Sequence, residues 1–264
     1  MMYCTLPTEA CHRLWQYCAH GGPENAKNLL NYMASLLDRS TPWKEPLPIV
    51  RTGYYWPDRS LPTRENIQRR WQGNHPVAAI IFYRALLQSG DLRPVDALIN
   101  SLHAQGLNPL PVFVSSLKDA ACAEWVQSAL EGSDADVILN LTGFAVSSPG
   151  SDSHDTPFTD ADCPVLQVIL SGSTEEVWRA GTQGLAPRDL AMNVALPEVD
   201  GRLITRAISF KKADGFDAAR EINIVRHDPL PDRVTFVAET AAAWAALRRA
   251  KAARRKLAII VANY

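Results

Sequence analysis

The sequence predicts an α/β protein built on a mostly parallel sheet of Rossmann or flavodoxin type, with a helical segment ahead of it. Two observations carry that prediction. Short, almost wholly apolar runs recur at Val77–Tyr83, Leu110–Val114, Val137–Leu141 and Pro164–Leu170, and segments of helical period separate them. Strands this apolar must be covered on both faces, which is the condition of a parallel sheet flanked by helices. A chain of 264 residues with 47% apolar and 21% charged content can fill such a core, and it is neither disordered nor collagen-like.

Residues 5–38 read as helical, from Leu14, Trp15 and Cys18 and then Leu29, Leu30, Met33, Leu36 and Leu37 at helical spacings. Gly21-Gly22-Pro23 divides this stretch into two helices. Thr41–Pro62 has five prolines beside Trp43, Tyr54, Tyr55 and Trp56 and shows no period, so it reads as an ordered connector packed by its aromatics. The α/β pattern then opens with the strand Val77–Tyr83 and a helix at Leu92–Gln105, stopped by Gly106. The strand Leu110–Val114, a helix at Asp119–Leu130 and the strand Val137–Leu141 follow. Pro164–Leu170 is a fourth strand, entering a helix at Ser173–Ala180. Arg202–Phe210 alternates as a further strand, and Asp232–Arg249 is an alanine-rich amphipathic helix. Leu257–Ala262 repeats the texture of the first strand and reads as the opening of another α/β unit. The organisation expected is a helical and Pro/aromatic segment over 1–70, an α/β domain over 71–255, and the first strand of a following domain at 256–264.

The net charge of −1 gives no reason to expect nucleic acid as a partner, but the average hides segregation. No Lys or Arg falls between Lys118 and Arg179, where there are eleven carboxylates. Arg202–Lys256 holds thirteen basic and six acidic residues. The apolar runs are far short of the roughly 20 residues that cross a bilayer, and no charged-then-apolar leader opens the chain, so a cytoplasmic protein without a membrane contact is expected. Five cysteines without close CxxC pairing fit a reducing compartment. Cys4, Cys11 and Cys18 recur every seven residues, beside His12 and His20. Thiols two turns apart on a helix lie about 10 Å from each other, too far for one tetrahedral metal site, so small buried hydrophobes on a helix seam are the better reading.

Ligands of parallel sheets bind at the turns beyond the carboxyl ends of the strands. Two such turns carry chemistry. In Asn140-Leu-Thr-Gly-Phe144, Asn140 and Thr142 supply polar side chains and Gly143 permits close backbone approach. In Ser171-Gly-Ser-Thr-Glu-Glu176, Ser171, Gly172 and Ser173 could contact a ligand at a helix N-terminus. The competing and leading reading is a capping box between Ser173 and Glu176. His75, ahead of Pro76, is a candidate base or axial ligand, against a structural role. The loop Ser147–Cys163 gathers Asp152, His154, Asp155, Asp160, Asp162 and Cys163, a possible donor set in a segment with the composition of any solvated loop. No GxGxxG, GxxxxGK[ST], HExxH or GxSxG occurs, so ATP hydrolysis within this chain is not expected. Arg248–Lys256 has six basic residues in nine, read as a solvated helix end or as a docking surface for an acidic partner.

Longer ordered stretches carry a resemblance. Asp136-Val-Ile-Leu-Asn-Leu-Thr-Gly-Phe144, Pro164-Val-Leu-Gln-Val-Ile-Leu-Ser-Gly-Ser-Thr174, Gly184-Leu-Ala-Pro-Arg-Asp-Leu-Ala-Met-Asn-Val-Ala-Leu-Pro-Glu-Val-Asp-Gly201 and Ile204-Thr-Arg-Ala-Ile-Ser-Phe-Lys211 resemble the family of the aerobic cobaltochelatase large subunit, CobN, and the magnesium chelatase H subunit. Gly21-Gly-Pro-Glu-Asn25, Gly53-Tyr-Tyr-Trp-Pro57 and Phe113-Val-Ser-Ser-Leu-Lys-Asp119 fit it too, with a texture nearer the cobalt branch. The resemblance implies part of a large tetrapyrrole-binding subunit that inserts cobalt, its substrate metal, into hydrogenobyrinic acid a,c-diamide in cobalamin biosynthesis. That is ligase chemistry forming metal–nitrogen bonds. ATP and magnesium would be used by partner AAA+ ATPase subunits and not bound here. The remainder of the large subunit is a further implied partner, and this stretch alone is expected to be inactive. No catalytic residue is carried over. Substrate contacts are expected from Asn140, Thr142, Gly143, Ser171, Gly172, Ser173, Asn193 and His75, with Trp71 or Phe144 against the ring. A magnesium chelatase H-type subunit of chlorophyll synthesis, a non-catalytic docking module and an independent small-molecule receptor are the alternatives.

Overall fold

The computed structural model describes residues 5–59, 61–147, 155–256 and 258–261. Two helices come first, α1 (Thr8–His20) and α2 (Pro23–Ser35), divided at Gly21 and Gly22, both at positive φ. Pro23 starts α2, where its missing N–H costs nothing. Their shared core is Ala10, Tyr17 and Tyr32 with Leu14, Leu29 and Trp43. The expected cysteine seam is displaced by this aromatic one. Cys18 is exposed and Cys11 half-buried, while Cys4 lies outside the described residues. The period of seven holds, but the wider stripe ending in Tyr17 buries more apolar surface and takes the inside.

The connector is ordered by side chains reaching back from α2. Asn25 donates to the Leu47 carbonyl (2.8 Å) and accepts from its amide (2.8 Å), and Asn28 accepts from the Lys44 amide. It also contains a strand that the sequence did not announce, β1 (Thr52–Tyr54), antiparallel at one edge of the sheet. Its proline-spaced neighbours conceal any alternation. A single helical turn, α3 (Arg64–Gln68), follows, capped by Thr63.

The body is β2 (Val77–Tyr83), α4 (Arg84–Ser89), α5 (Arg93–Ala104), β3 (Asn108–Val114), α6 (Ala120–Glu131), β4 (Ala135–Asn140) and β5 (Val165–Thr174). After these come α7 (Glu175–Ala180), α8 (Pro187–Leu190), α9 (Leu196–Val199), β6 (Leu203–Asp217), β7 (Ile222–Pro229) and α10 (Pro231–Arg249). Between α8 and α9 the helix widens to a π-type turn at Ala191–Ala195. The sheet order is β1-β3-β2-β4-β5-β6-β7, with β3, β2, β4, β5 and β6 parallel and β1 and β7 antiparallel at the edges. Counted along the chain, the parallel strands lie second, first, third, fourth, fifth. The direction of crossover therefore reverses between β2 and β4, which opens a crevice at their carboxyl ends and sends α5 and α6 to opposite faces.

Every residue of β3 and β4 is buried, as are the first six of β2, in line with the continuous apolar runs. The amino edge of the sheet is tied by charge. Asp136 accepts from the Val77 amide (2.8 Å) and takes a two-pronged contact from Arg249 at 2.8 and 2.9 Å. Arg248 pairs with Asp162. Part of the acidic stretch and part of the basic run thus neutralise each other inside one chain.

Three expectations are corrected. The helix after β5 is capped by Thr174, whose hydroxyl accepts from the Val177 amide, and not by Ser173, because β5 continues through Ser171–Thr174. The strand read at Arg202–Phe210 starts at Leu203 and runs to Asp217, pairing beyond Phe210 with β7, an element absent from the sequence reading. The strand read at Leu257–Ala262 does not form over Ala258–Val261, which lack a neighbouring strand and leave Ile260 95% exposed. Leu257 and Ala262 lie outside the described residues. An apolar strand needs a ladder partner, and this segment has none within the described residues.

Candidate functional site

The predicted residues separate into three groups. The first is a lock at the end of β4. Asn140 donates to Gln167 Oε1 (3.0 Å) and to the Thr142 carbonyl (3.1 Å), and its Oδ1 accepts from the Thr142 hydroxyl (2.9 Å). Gln167 also donates to the Thr142 carbonyl (2.9 Å). Arg202 donates to Gln167 Oε1 (3.1 Å) and pairs with Asp200 (2.7 Å), each side chain 1% exposed. Asp200 in turn accepts the Val146 amide (2.8 Å) and the Ser147 amide and hydroxyl. Burial works against the charge of the Arg202 guanidinium, and Asp200 counters it. The hydrogen-bonding atoms of Asn140 and Thr142 are thus engaged within the protein, and Thr142 also borders a smaller hollow beside Phe144 and Val146. Gln167, Asp200 and Arg202, which complete the lock, had no signal in the sequence beyond polar residues interrupting apolar runs.

The second group lines an open crevice of about 420 Å³ between the tips of β2, β4, β5 and β7. Gly143, Gly172, Ser173 and Asn193 all border it, as does Phe144, which is 43% exposed. Gly143 makes the close approach expected of it, but to the chain itself. A Cβ there would stand 3.0 Å from Asn193 Oδ1 and 3.1 Å from the Met192 carbonyl. Phe144 is at φ 66°, a left-handed conformation held by its amide donating to the Met192 carbonyl (2.7 Å). Strain of this kind in a bulky residue, beside a π-type turn, is concentrated at functional places in folds. Tyr83 borders the crevice and donates to the Gly143 carbonyl (3.0 Å).

The end of β5 at Ser171–Ser173 already holds an anion, and it is internal. Asp189 accepts from the Ser171 hydroxyl (2.6 Å) and the Gly172 amide (3.0 Å). Ser171 is fully buried in that contact, and Asp189 takes both its hydroxyl and the Gly172 amide.

Residues that the sequence reading missed complete the wall. His227, on β7, is buried against the crevice with Nδ1 3.0 Å from Ser209 Oγ. Its backbone amide donates to Asp91, which also pairs with Lys211 (3.0 Å). Burial, reinforced by Lys211, pushes the His227 ring down to about 4, so it is neutral near pH 7. Burial opposes the charge of Asp91, but the His227 amide and Lys211 prevail and hold its carboxyl below the usual range.

The third group is elsewhere. His75 is exposed at the amino end of β2, beside Gly106, on the opposite edge of the sheet from the crevice. Trp71 lies at that edge too, donating to the Pro109 carbonyl (3.0 Å), so of the two aromatics only Phe144 can meet a ligand in the crevice. Of the acidic loop, Asp152 and His154 lie outside the described residues. Among the described residues no cluster of three His, Cys, Asp or Glu side chains could hold a metal. Cys163 is half-buried, and desolvation pushes its thiol up to about 11, which makes it unreactive. Among the described residues no helix is long and apolar enough to cross a membrane.

A family model described as CobN/Magnesium Chelatase matches residues 15–264. The chain belongs to the CobN/magnesium chelatase family. It is 46% identical to the aerobic cobaltochelatase subunit CobN of Sinorhizobium sp over 99% of its length, and 43% identical to the CobN subunit of Pseudomonas aeruginosa over 98%. Identity to the magnesium-chelatase H subunit of Rhodobacter capsulatus is 27% over 94% of the chain. Each match takes in only 21–22% of the relative, so the chain spans about a fifth of the length of these CobN and magnesium-chelatase proteins. The catalytic subunit of cobaltochelatase from Mycobacterium tuberculosis superimposes with a TM-score of 0.72 at 26% identity, covering 93% of this chain and 20% of that one. The mixed α/β fold is therefore shared with that catalytic subunit.

Proposed function

We propose that this chain is part of the large, tetrapyrrole-binding subunit of a cytoplasmic cobaltochelatase, and that the crevice at the carboxyl edge of its sheet contacts the macrocycle. The observation that carries the reading is the identity to two CobN subunits, 46% and 43%, against 27% to a magnesium-chelatase H subunit. That gap favours cobalt over magnesium as the substrate metal. The second-first-third-fourth-fifth order of the parallel strands supports a flavodoxin type, whose ligands sit at the reversal point. A corrinoid precursor is a broad apolar ring with a polar rim, and the crevice offers Phe144 and Leu170 beside Asn193 and Ser173. In this reading the ring is hydrogenobyrinic acid a,c-diamide, and ATP and magnesium are handled by AAA+ partner subunits. A non-catalytic docking role has less support, because Arg248 and Arg249 of the basic run are engaged with Asp162 and Asp136 of the same chain.

The test is a titration of the 264-residue chain with hydrogenobyrinic acid a,c-diamide, following the absorption band. A saturable shift that is lost in Phe144→Ala is the expected result. No shift at high micromolar ligand, with a shift in the complete large subunit, would remove the crevice from the macrocycle site.

A further inference from the structure

One edge of β6 is left half open by the fold. β7 pairs with β6 from Ser209 onward, and one further backbone bond, from the Leu230 amide to the Ile208 carbonyl (2.8 Å), continues that ladder. Leu203–Ala207 therefore has β5 on one side and, among the described residues, no strand on the other. Leu203 is 40% exposed, and Arg206 is exposed as well. A strand edge of this kind is a template for pairing with another extended chain.

Three arginines gather at the open half. The Arg206 guanidinium carbon lies 3.5 Å from the centre of the Phe236 ring, on α10. Arg233, three residues before Phe236 on the same helix, lies 4.8 Å from the centre of the Trp178 ring and donates through Nε to the Ala207 carbonyl. Arg179 lies 5.5 Å from that same ring, which stacks on Phe210 at 4.8 Å. Glu175 occupies Arg179 (2.6 Å), whereas Arg206 and Arg233 form no ion pair among the described residues. Burial, and then Arg206, work against the charge of Arg233, and Asp232 supports it. A guanidinium laid against an aromatic ring keeps N–H groups for a carboxylate and has little side-chain freedom left to lose on binding. Phe236, 37% exposed, adds apolar surface beside them.

We propose that the open half of β6 is a docking site for an extended acidic segment of a separate polypeptide, which adds to the sheet as a strand and places carboxylates against Arg206 and Arg233. A free phosphate or a mononucleotide would meet the guanidiniums and leave the backbone edge unused. A second copy of this chain, pairing through the same edge, would bring two sets of arginines together. An acidic strand satisfies the edge and the charges at once. The inference goes beyond the reading above, since Trp178, Arg179, Leu203, Arg206, Arg233 and Phe236 all lie outside the crevice wall.

The probe is the peptide acetyl-Thr-Val-Glu-Val-Glu-Val-Thr-amide. It is titrated to millimolar concentration into the 264-residue chain and into the complete large subunit, with anisotropy of the labelled peptide giving affinity and the backbone amide signals of the chain giving location. Saturable binding to both proteins is expected, with the shifts centred on Leu203–Ala207. Replacing both Glu by Gln in the peptide should weaken binding about fivefold, the loss of two solvent-exposed ion pairs, and Arg206→Gln should weaken binding of the Glu peptide about twofold. Of two versions N-methylated at alternate amides, out of phase with each other, one should bind and the other fail, because only one side of an added strand meets β6. The ordering of the peptides in the unsubstituted chain decides the matter even where the variant does not fold. Equal binding of the Gln peptide, equal binding of the two methylated versions, shifts centred elsewhere, or tighter binding of a seven-residue oligothymidylate would overturn the proposal. So would dimerisation of the chain through this edge in sedimentation, or a complete large subunit that ignores the peptide, because the edge would then belong to a contact with the protein itself.

Discussion

Two polar clusters at the carboxyl edge of the sheet, one beneath it and one in the crevice wall, behave differently. At the tip of β4, Asn140, Thr142, Gln167, Arg202 and Asp200 bond to one another and to backbone groups beneath the surface. At the tips of β5 and β7, Ser171, Asp189 and His227 are as deeply buried, yet the network stops at the wall of the crevice, which Asp189 and His227 both line. Polar residues at strand ends are thus of two kinds, those that close a network and those at which a network ends. Only the second kind can exchange its partners for a ligand's.

Removing the closing charge should have the largest effect. Arg202→Ala leaves Asp200 inside the protein without its cation, and breaking a buried pair from one side costs about 3–5 kcal/mol. Urea unfolding should show that loss, and Arg202→Met combined with Asp200→Asn should restore much of it, because no lone charge is then buried. A loss within the range of ordinary surface substitutions would mean that the β4 tip is no more locked than the β5 and β7 tips, and the contrast would fail.

The open end should announce itself through pH. His227 is surrounded by Lys211 and Arg93, which disfavour its protonation, and by Asp91 and Asp189, which favour it, with burial the dominant influence. The unfolded chain binds a proton on this ring near pH 6.5, and the folded chain does so only near 4. Between those values the unfolded state holds more protons, so stability falls as pH drops, by roughly 2–3 kcal/mol across the window. Asp91, depressed in the fold, adds loss only as pH falls through its own lowered value. His227→Gln should flatten the slope between pH 6.5 and 4. An unchanged slope would place the titrating group elsewhere and return His227 to the closed category.

The sequence made the closed parts more legible than the open ones. β2 was readable to the residue because six consecutive buried positions leave an unbroken apolar run, and the helix over Arg93–Ala104 was readable from its period and Gly106. β7 was not readable. Its segment Ile222–Pro229 is a mostly exposed ribbon with Arg226, His227 and Asp228 in succession, and only pairing with β6 gives it a face. His227 is buried through that pairing alone, whereas His75 stands out in the sequence because it precedes a strongly apolar strand. Asn140, Thr142 and Ser171 were found as strand-end residues, but local sequence does not say whether a partner waits 27 or 18 residues away to occupy them.

The boundary between the two regions runs through Gly143, and a single methyl there offers the finest test. Thr142 on one side belongs to the lock, and Asn193 on the other belongs to the crevice wall. In Gly143→Ala the new carbon would meet Asn193 Oδ1 and the Met192 carbonyl at distances few Cβ contacts reach, and the backbone carbonyl cannot turn aside as a side chain would. Overpacking of this kind costs typically 1–3 kcal/mol, and the lower end, about 1 kcal/mol, is expected because the π-type turn at Ala191–Ala195 can yield where the sheet cannot. The displacement should therefore appear on the crevice side. Amide exchange should quicken around Met192 and Asn193 and stay unchanged at Asn140–Thr142. Faster exchange on both sides would show that lock and crevice are one cooperative unit, and the distinction between them would have to be drawn elsewhere along the edge.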